Sequence, residues 1–446
     1  GVGGAHRSKS QYIVEWQGCM IPIGGKLSQT STWTDAQIGQ TCLVGDGAHA
    51  KIARQEVGVM YLTSKNFKDQ GLDLSKVDYI SKADFAKYFR SHSKALTQPL
   101  AGDILLGIIG SLGAPYSVKA GDHFGLSSSV AIIRPDTNKL HPLYLYYWIK
   151  GPILQSAIYG IKGGVAQGYL SLEMIKSLPL SYPPLSTQRK IAAILSAYDD
   201  LIENNTRRIK ILEEMAQSLY REWFVHFRYP GHEGVRLVES ELGLVPEGWE
   251  LRPLGQLAQE VRRSVNPLDI DPETPYFGLE HLPRKSIALS QWGTAKDVQS
   301  TKLAFRRGEI LFGKIRPYFH KVGVAPVNGV CSSDTIVISP KSVEYFGVVL
   351  GCVSSEDFIN HATQTSQGTK MPRANWDILV KYPVAVATLP ILKQFNDLVR
   401  DQVSLVENLV RQTRNLRHTR DLLLPKLLAG GVDLDKVVDS VNEEHT

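Results

Sequence analysis

Two acidic residues occupy the same short frame in this 446-residue chain. Asp103 stands in Gly102-Asp103-Ile104-Leu105-Leu106-Gly107, and Glu309 stands in Gly308-Glu309-Ile310-Leu311-Phe312-Gly313, 206 positions later. A carboxylate at the mouth of a strand can act as a general acid or base only if a partner group is held beside it. No partner recurs near either acid, so the simpler reading is a turn acid ahead of a short buried strand. Other centres fail on their spacing. No Gly-x-x-x-x-Gly-Lys-[Ser/Thr] phosphate loop is present. The sole Pro-Pro is Tyr182-Pro183-Pro184, and no [Asn/Asp]-Pro-Pro-[Phe/Tyr], the tetrapeptide that positions an amino group for methyl transfer, occurs. Gly160-Ile161-Lys162-Gly163-Gly164 lacks the strand, helix and downstream acid of a dinucleotide loop and reads as a connection. The 12 histidines form no His-x-x-x-His or His-Glu-x-x-His pattern, so neither a metal site nor a catalytic centre is expected. Cys19, Cys42, Cys331 and Cys352 are scattered without Cys-x-x-Cys, which argues against zinc and a disulfide framework and favours a reducing, cytoplasmic setting. No run of about 18 apolar residues is present, so no membrane span is expected.

What recurs instead is cations and aromatics beside turns. Net charge is +6, with 43% hydrophobic and 21% charged residues, an ordinary globular balance that permits a polyanionic partner. The densest stretch, Gly313 to Lys321, holds Lys314, Arg316, Tyr318 and Lys321. A second, Gln364 to Arg373, holds Gln367, Thr369, Lys370 and Arg373, and its counterpart earlier in the chain holds Lys162 and Gln167. Lys65, Asn66 and Lys68 follow one predicted strand, and His281, Arg284 and Lys285 follow another. Arg90, His92 and Lys94 add charge to the first half. Lysine and arginine neutralise phosphates, while Asn, Gln, Thr, Tyr and His can hydrogen-bond to backbone or bases, which makes these residues candidate DNA contacts.

The elements that must position them are written twice. Trp33 with Ile38-Gly39-Gln40 returns as Trp249 with Leu254-Gly255-Gln256 at an offset of 216. Ser127–Pro135 returns as Ser332–Pro340 at 205, and Leu185, Leu201 and Glu203-Asn204 return as Leu389, Leu405 and Glu407-Asn408 at 204. The matches keep their order and the offset drifts in one direction, as in a tandem duplication with loops of unequal length. Each copy has an α+β front and a helical back.

In the first back, Leu195, Tyr198, Ile202, Asn205, Ile209, Leu212, Ala216 and Leu219 alternate spacings of three and four, a heptad seam that continues to Trp223. The second seam runs through Val399, Val406, Leu409, Leu416 and Leu423, is more polar, and meets Pro425, which is expected to kink or end its helix. The two helices are expected to pair as an antiparallel coiled coil about a pseudo-two-fold axis, with Asn205 and Arg420 setting register. At about 38 residues each would be roughly 57 Å long, more than one DNA turn of about 34–36 Å. The expected organisation is an N-terminal extension 1–32, whose opening without Met is compatible with an added leader before a native start at Met20, then a first domain 33–185, a central helix 186–228, a linker 229–248, a second domain 249–388, a C-terminal helix 389–429 and a tail 430–446.

With these residues in place, the chain resembles the specificity (S) subunits of Type I restriction–modification systems. The resemblance rests on Val245-Pro246-Glu247-Gly248-Trp249, Gly45-Asp46-Gly47-Ala48-His49, the two hexapeptides, Gly313–Tyr318, Gly368–Arg373, and Pro184-Leu185-Ser186-Thr187-Gln188-Arg189-Lys190-Ile191 before a long helix, and spans about residues 33–430. The first copy has only Thr32-Trp33 where Pro-Glu-Gly-Trp is expected, the second lacks Gly-Asp-Gly, and its Gln-x-x-Ile is reduced to Lys393-Gln394-Phe395. The resemblance implies two target recognition domains, each reading half of a split target in double-stranded DNA, with the helices setting the gap and docking two methyltransferase (M) subunits. S-adenosylmethionine would then sit on those partners and no cofactor on this chain, which would be non-catalytic. Two restriction (R) motor-nuclease subunits would complete the enzyme. The competing reading of the same repeat is a pseudo-dimeric DNA-binding regulator working without a methyltransferase.

Overall fold

The computed structural model describes residues 13–16, 19–22, 33–68, 71–91, 96–162, 169–241, 243–432 and 434. The chain divides into two compact units, one of residues 1–199 with 418–446, the other of residues 200–417. Each is an α+β domain joined to segments of both long helices, Leu185–Tyr220 and Leu389–Leu428.

In the first unit the repeated hexapeptide supplies the strand Ile104–Gly107, an inner member of a four-stranded antiparallel sheet in the order Pro115–Ser117, Ile104–Gly107, Val130–Pro135, Cys42–Asp46. Ile104, Leu105 and Leu106 are fully buried, which explains an unbroken apolar run where a one-sided strand would alternate. The second unit repeats the sheet as Val322–Val324, Ile310–Gly313, Thr335–Pro340, Ala258–Glu260. Gly102 and Gly308 sit at φ +90 and +84, a left-handed turn that glycine enters without steric cost. Each unit has a second sheet in which one strand pair is parallel, Phe124–Leu126 on Val59–Leu62 and Gly329–Cys331 on Pro275–Phe277. Each α+β domain is also closed by an antiparallel clasp of an early strand and its last strand, Thr34–Gln37 with Pro179–Tyr182 and Glu250–Pro253 with Pro383–Val386.

The helix seams are buried as their spacing requires. Leu195, Ile202, Asn205 and Ile209 are buried, as are Val399, Val406 and Leu409, while Tyr198, Leu212, Leu219, Leu416 and Leu423 are partly buried. In the second unit Ile209 packs with Val406, Leu409 and Val410. Tyr220, Trp223 and Phe224 surround Phe395, with ring centroids 6.4, 5.6 and 4.6 Å away. Later residues of one helix thus meet earlier residues of the other, so the pair runs antiparallel. In the first unit Leu424, Leu427 and Leu428 join the core of Tyr147, Trp148, Ile191 and Leu195, and Trp33 packs against the same cluster. There the Arg420 guanidinium pairs with Asp199, which also accepts from the Tyr147 hydroxyl. Pro425 does not end the helix, one of the two outcomes the sequence led us to expect. It forfeits one backbone hydrogen bond near the last turn, where the burial of Leu424, Leu427 and Leu428 holds the chain helical.

Glu213 is a buried carboxylate on the central helix, accepting from the Ser286 hydroxyl at 2.6 Å and the Ala288 amide at 2.8 Å. Burial raises its pKa above the ordinary carboxylate value, against these hydrogen bonds, which lower it. The folded state therefore holds the proton more tightly than the unfolded one, and stability falls as pH rises through the folded-state value. Glu213→Gln retains an oxygen for both donors and removes the ionisation. We expect the variant to melt about 2–4 °C higher than the parent at mildly alkaline pH, with the difference shrinking below the ordinary carboxylate range. Equal melting at alkaline pH would contradict this assignment.

Candidate nucleic-acid interface

The recurring acids are structural. Asp103, 2% exposed, takes two hydrogen bonds from Arg134, at 2.8 and 2.7 Å, and one from the Leu100 amide. Glu309, 7% exposed, takes two from Arg263, at 2.8 and 2.7 Å, and one from the Arg306 amide. The acid is repeated but its arginine is not, for Arg134 follows the hexapeptide in the chain and Arg263 precedes it. A forked arginine satisfies both carboxylate oxygens wherever it enters from. Cys42, Cys331 and Cys352 are buried thiols whose pKa burial pushes up to about 11, 12 and 12, which withholds the thiolate a nucleophile needs. Among the described residues no group of three or more His, Cys, Asp or Glu could hold a metal ion, and no helix is long and apolar enough to cross a membrane.

The fold brings the cationic stretches of the second domain into one corner. Residues 314–316 and 372–374 lie side by side: the Arg316 amide donates to the Pro372 carbonyl at 2.7 Å, and the Ala374 amide to the Lys314 carbonyl at 2.8 Å. Ile315 and Arg373 form a β-bridge. The third stretch joins through the Lys285 amide, which donates to the His320 carbonyl at 2.9 Å, and through Arg284, stacked 4.0 Å from the Phe319 ring. Tyr318, Gln367, Thr369, Lys370 and Arg373 are exposed here, and Lys314 and Arg316 partly so. Arg373 lies 3.5 Å from Asp334, and exposed Lys285 pairs with Glu356. Desolvation lowers the pKa of His320, whose ring meets the Ser354 carbonyl.

The first domain makes the same loop pair from other residues. Ile109 bridges Tyr169, and the Leu170 amide donates to the Ile108 carbonyl at 3.0 Å, the positions equivalent to Ile315, Arg373, Ala374 and Lys314. Ile109 and Tyr169 are 46% and 49% exposed. Sequence reasoning passed over both, because a search for cations misses an exposed apolar pair. Only the repeat offset, which maps Tyr169 onto Arg373, could have found it.

One candidate contact is corrected, and two others are tied to backbone groups. Asn66 is buried, its Oδ1 accepting from the Thr63 amide and its amide donating to the carbonyls of Asp73 and Lys76. His281 is the equivalent cap in the second domain, its Nδ1 accepting from the Gly278 amide at 3.0 Å. Both side chains close a one-turn helix after a matched strand, which consumes the polarity of buried Asn66 and only the Nδ1 acceptor of half-buried His281. Lys321 is partly buried, and its ammonium donates to the Leu279 carbonyl and ties two loops together. Lys65, Lys68 and Arg90 are exposed. His92, Lys94 and Gln167 lie outside the described residues, and Lys162 ends the helix Pro152–Lys162.

The chain holds two copies of an α+β domain, each presenting a two-loop platform of differing chemistry. Residues 55–214 match the Type I restriction modification DNA specificity domain family. The Type I restriction enzyme MjaIX specificity subunit of Methanocaldococcus jannaschii is 27% identical over 66% of this chain and 70% of its own length. The EcoDI specificity subunit of Escherichia coli is 24% identical over 64% and 68%. The crystal structure of the Type I restriction–modification S subunit from M. genitalium shares the fold, with a TM-score of 0.57 over 90% of this chain and 97% of that one at 14% identity. Residues 55–214 thus carry a DNA specificity domain of the Type I restriction–modification kind, and about two thirds of the chain is similar in sequence to specificity subunits of those systems.

Arg134→Ala leaves the buried Asp103 carboxylate without its cation and is expected to cost about 3–5 kcal/mol of stability in denaturant unfolding. Adding Asp103→Asn should recover part of the loss. A cost below about 1 kcal/mol would place the pair among ordinary surface ion pairs.

Proposed function

We propose that this chain is the DNA-reading and scaffold subunit of a Type I restriction–modification complex and carries no catalytic centre of its own. Each domain reads one half of a bipartite target in double-stranded DNA. The observation that carries the reading is the loop pair, which is built by the same backbone bonds in both domains and carries different side chains in each. One scaffold with two reading surfaces suits a target whose halves differ in sequence.

The helices fix the gap between half-sites and dock two methyltransferase subunits. At 36 and 40 residues they are about 54 and 60 Å long. Leu201, Ile211 and Met215 on one, and Leu398 and Leu405 on the other, are exposed apolar side chains of the kind a docking face uses. S-adenosylmethionine belongs to those partners in this account, in keeping with the missing [Asn/Asp]-Pro-Pro-[Phe/Tyr] tetrapeptide. Two restriction subunits join for cleavage, and the complex works on DNA in the cytoplasm.

Lys314 and Lys370 would act on phosphates, which carry charge and no sequence information. Lys314→Ala and Lys370→Ala in the assembled complex should each weaken binding to all duplexes alike and lower the slope of log affinity against log salt by about one. An unchanged slope in both variants, or no duplex binding by the parent complex, would overturn the reading.

A further inference from the structure

Resting on the DNA-reading function above, we infer that Arg316 is the specificity-determining base reader of the second domain, aimed at the acceptor edge of a guanine. The backbone at Arg316 is left-handed, with φ 50 and ψ 63. A side chain in that conformation is strained, and such strain persists where the surrounding structure imposes it. Among the described residues, four non-glycine positions have positive φ, and three of them, Lys285, Arg316 and His320, meet in this corner. The equivalent position of the first domain is Gly110, also left-handed at φ 77. Glycine meets that backbone requirement without a side chain. The second domain carries arginine there, so its strain is tied to holding a guanidinium at that point.

The guanidinium is only partly engaged, with its central carbon 5.9 Å from the Phe319 ring centroid. The Arg316 amide is fixed on the Pro372 carbonyl at 2.7 Å, and Nη2 makes a long contact of 3.4 Å to the Lys370 carbonyl. Nε is buried and has no hydrogen-bond partner. A buried donor left unpaired is unfavourable until an acceptor arrives. A phosphate needs no such aim, because the exposed ammonium of Lys370 reaches it on a flexible stem. A rigid planar fork beside an exposed Tyr318 matches paired acceptors such as guanine O6 and N7.

The test is selection from a randomised duplex library by the full chain purified with its endogenous partners, comparing the parent, Arg316→Gly and Arg316→Lys. Arg316→Gly suits the left-handed backbone and should melt no lower than the parent. It should lose discrimination at one base pair of one half-site by about 10- to 100-fold, with the other positions and the gap retained. Arg316→Lys should keep the charge and the salt slope and lose preference at that same pair, because a single ammonium cannot reproduce the fork. An unchanged selected sequence with affinity lowered uniformly would make Arg316 a phosphate contact and overturn the inference while the proposed function stands. Failure of the parent to select any split sequence would remove the function, and the inference with it.

Discussion

Everything in this chain depends on burying the seams and ends of two long amphipathic helices. A helix of 36 or 40 residues with an apolar stripe is stable in water only when that stripe is covered. In the second unit the cover is aromatic: Phe395 lies among Tyr220, Trp223 and Phe224, and Trp249 packs on Phe224. In the first unit it is aliphatic, from Leu424, Leu427 and Leu428 against Tyr147, Trp148 and Leu195. Each α+β domain is followed by its long helix, and the first compact unit also takes in the distant segment 418–446, while the second is the continuous stretch 200–417.

A second constraint separates scaffold from reading surface. The acid ahead of the hexapeptide strand, the cap of the one-turn helix and the bridge between two loops are all present in both domains, which keeps the platform the same. The exposed side chains on it are free to differ. In one domain they are Ile109 and Tyr169, suited to apolar contact with bases, and in the other Lys314, Arg316, Lys370 and Arg373, suited to phosphates and acceptor-rich base edges.

Much of the scaffold was legible in the sequence because it is periodic or repeated. The offsets of 216, 206, 205 and 204 are those that relate the clasp strands, the hexapeptide strands and their sheet partners in the two units. The seven-residue spacing of Leu195, Ile202 and Ile209 marks the side that is buried. What escaped was whatever depends on long-range partners. The spacing could not reveal that Asp103 and Glu309 recruit arginines from opposite directions along the chain. Nor could residue type show that Asn66 and His281 are turned inward as caps, or that burial beyond Pro425 outweighs one missing hydrogen bond. The weight placed on cations led to Lys321, which is tied to a carbonyl, and away from Tyr169, which is exposed.

The most direct test of the account is to purify the chain with its natural partners, assay S-adenosylmethionine-dependent methyl transfer, and map the modified positions on unmodified DNA. The account predicts a split sequence, adenine-methylated on both strands across a fixed gap. A chain that purifies alone, binds one uninterrupted duplex tightly and transfers no methyl group would contradict it.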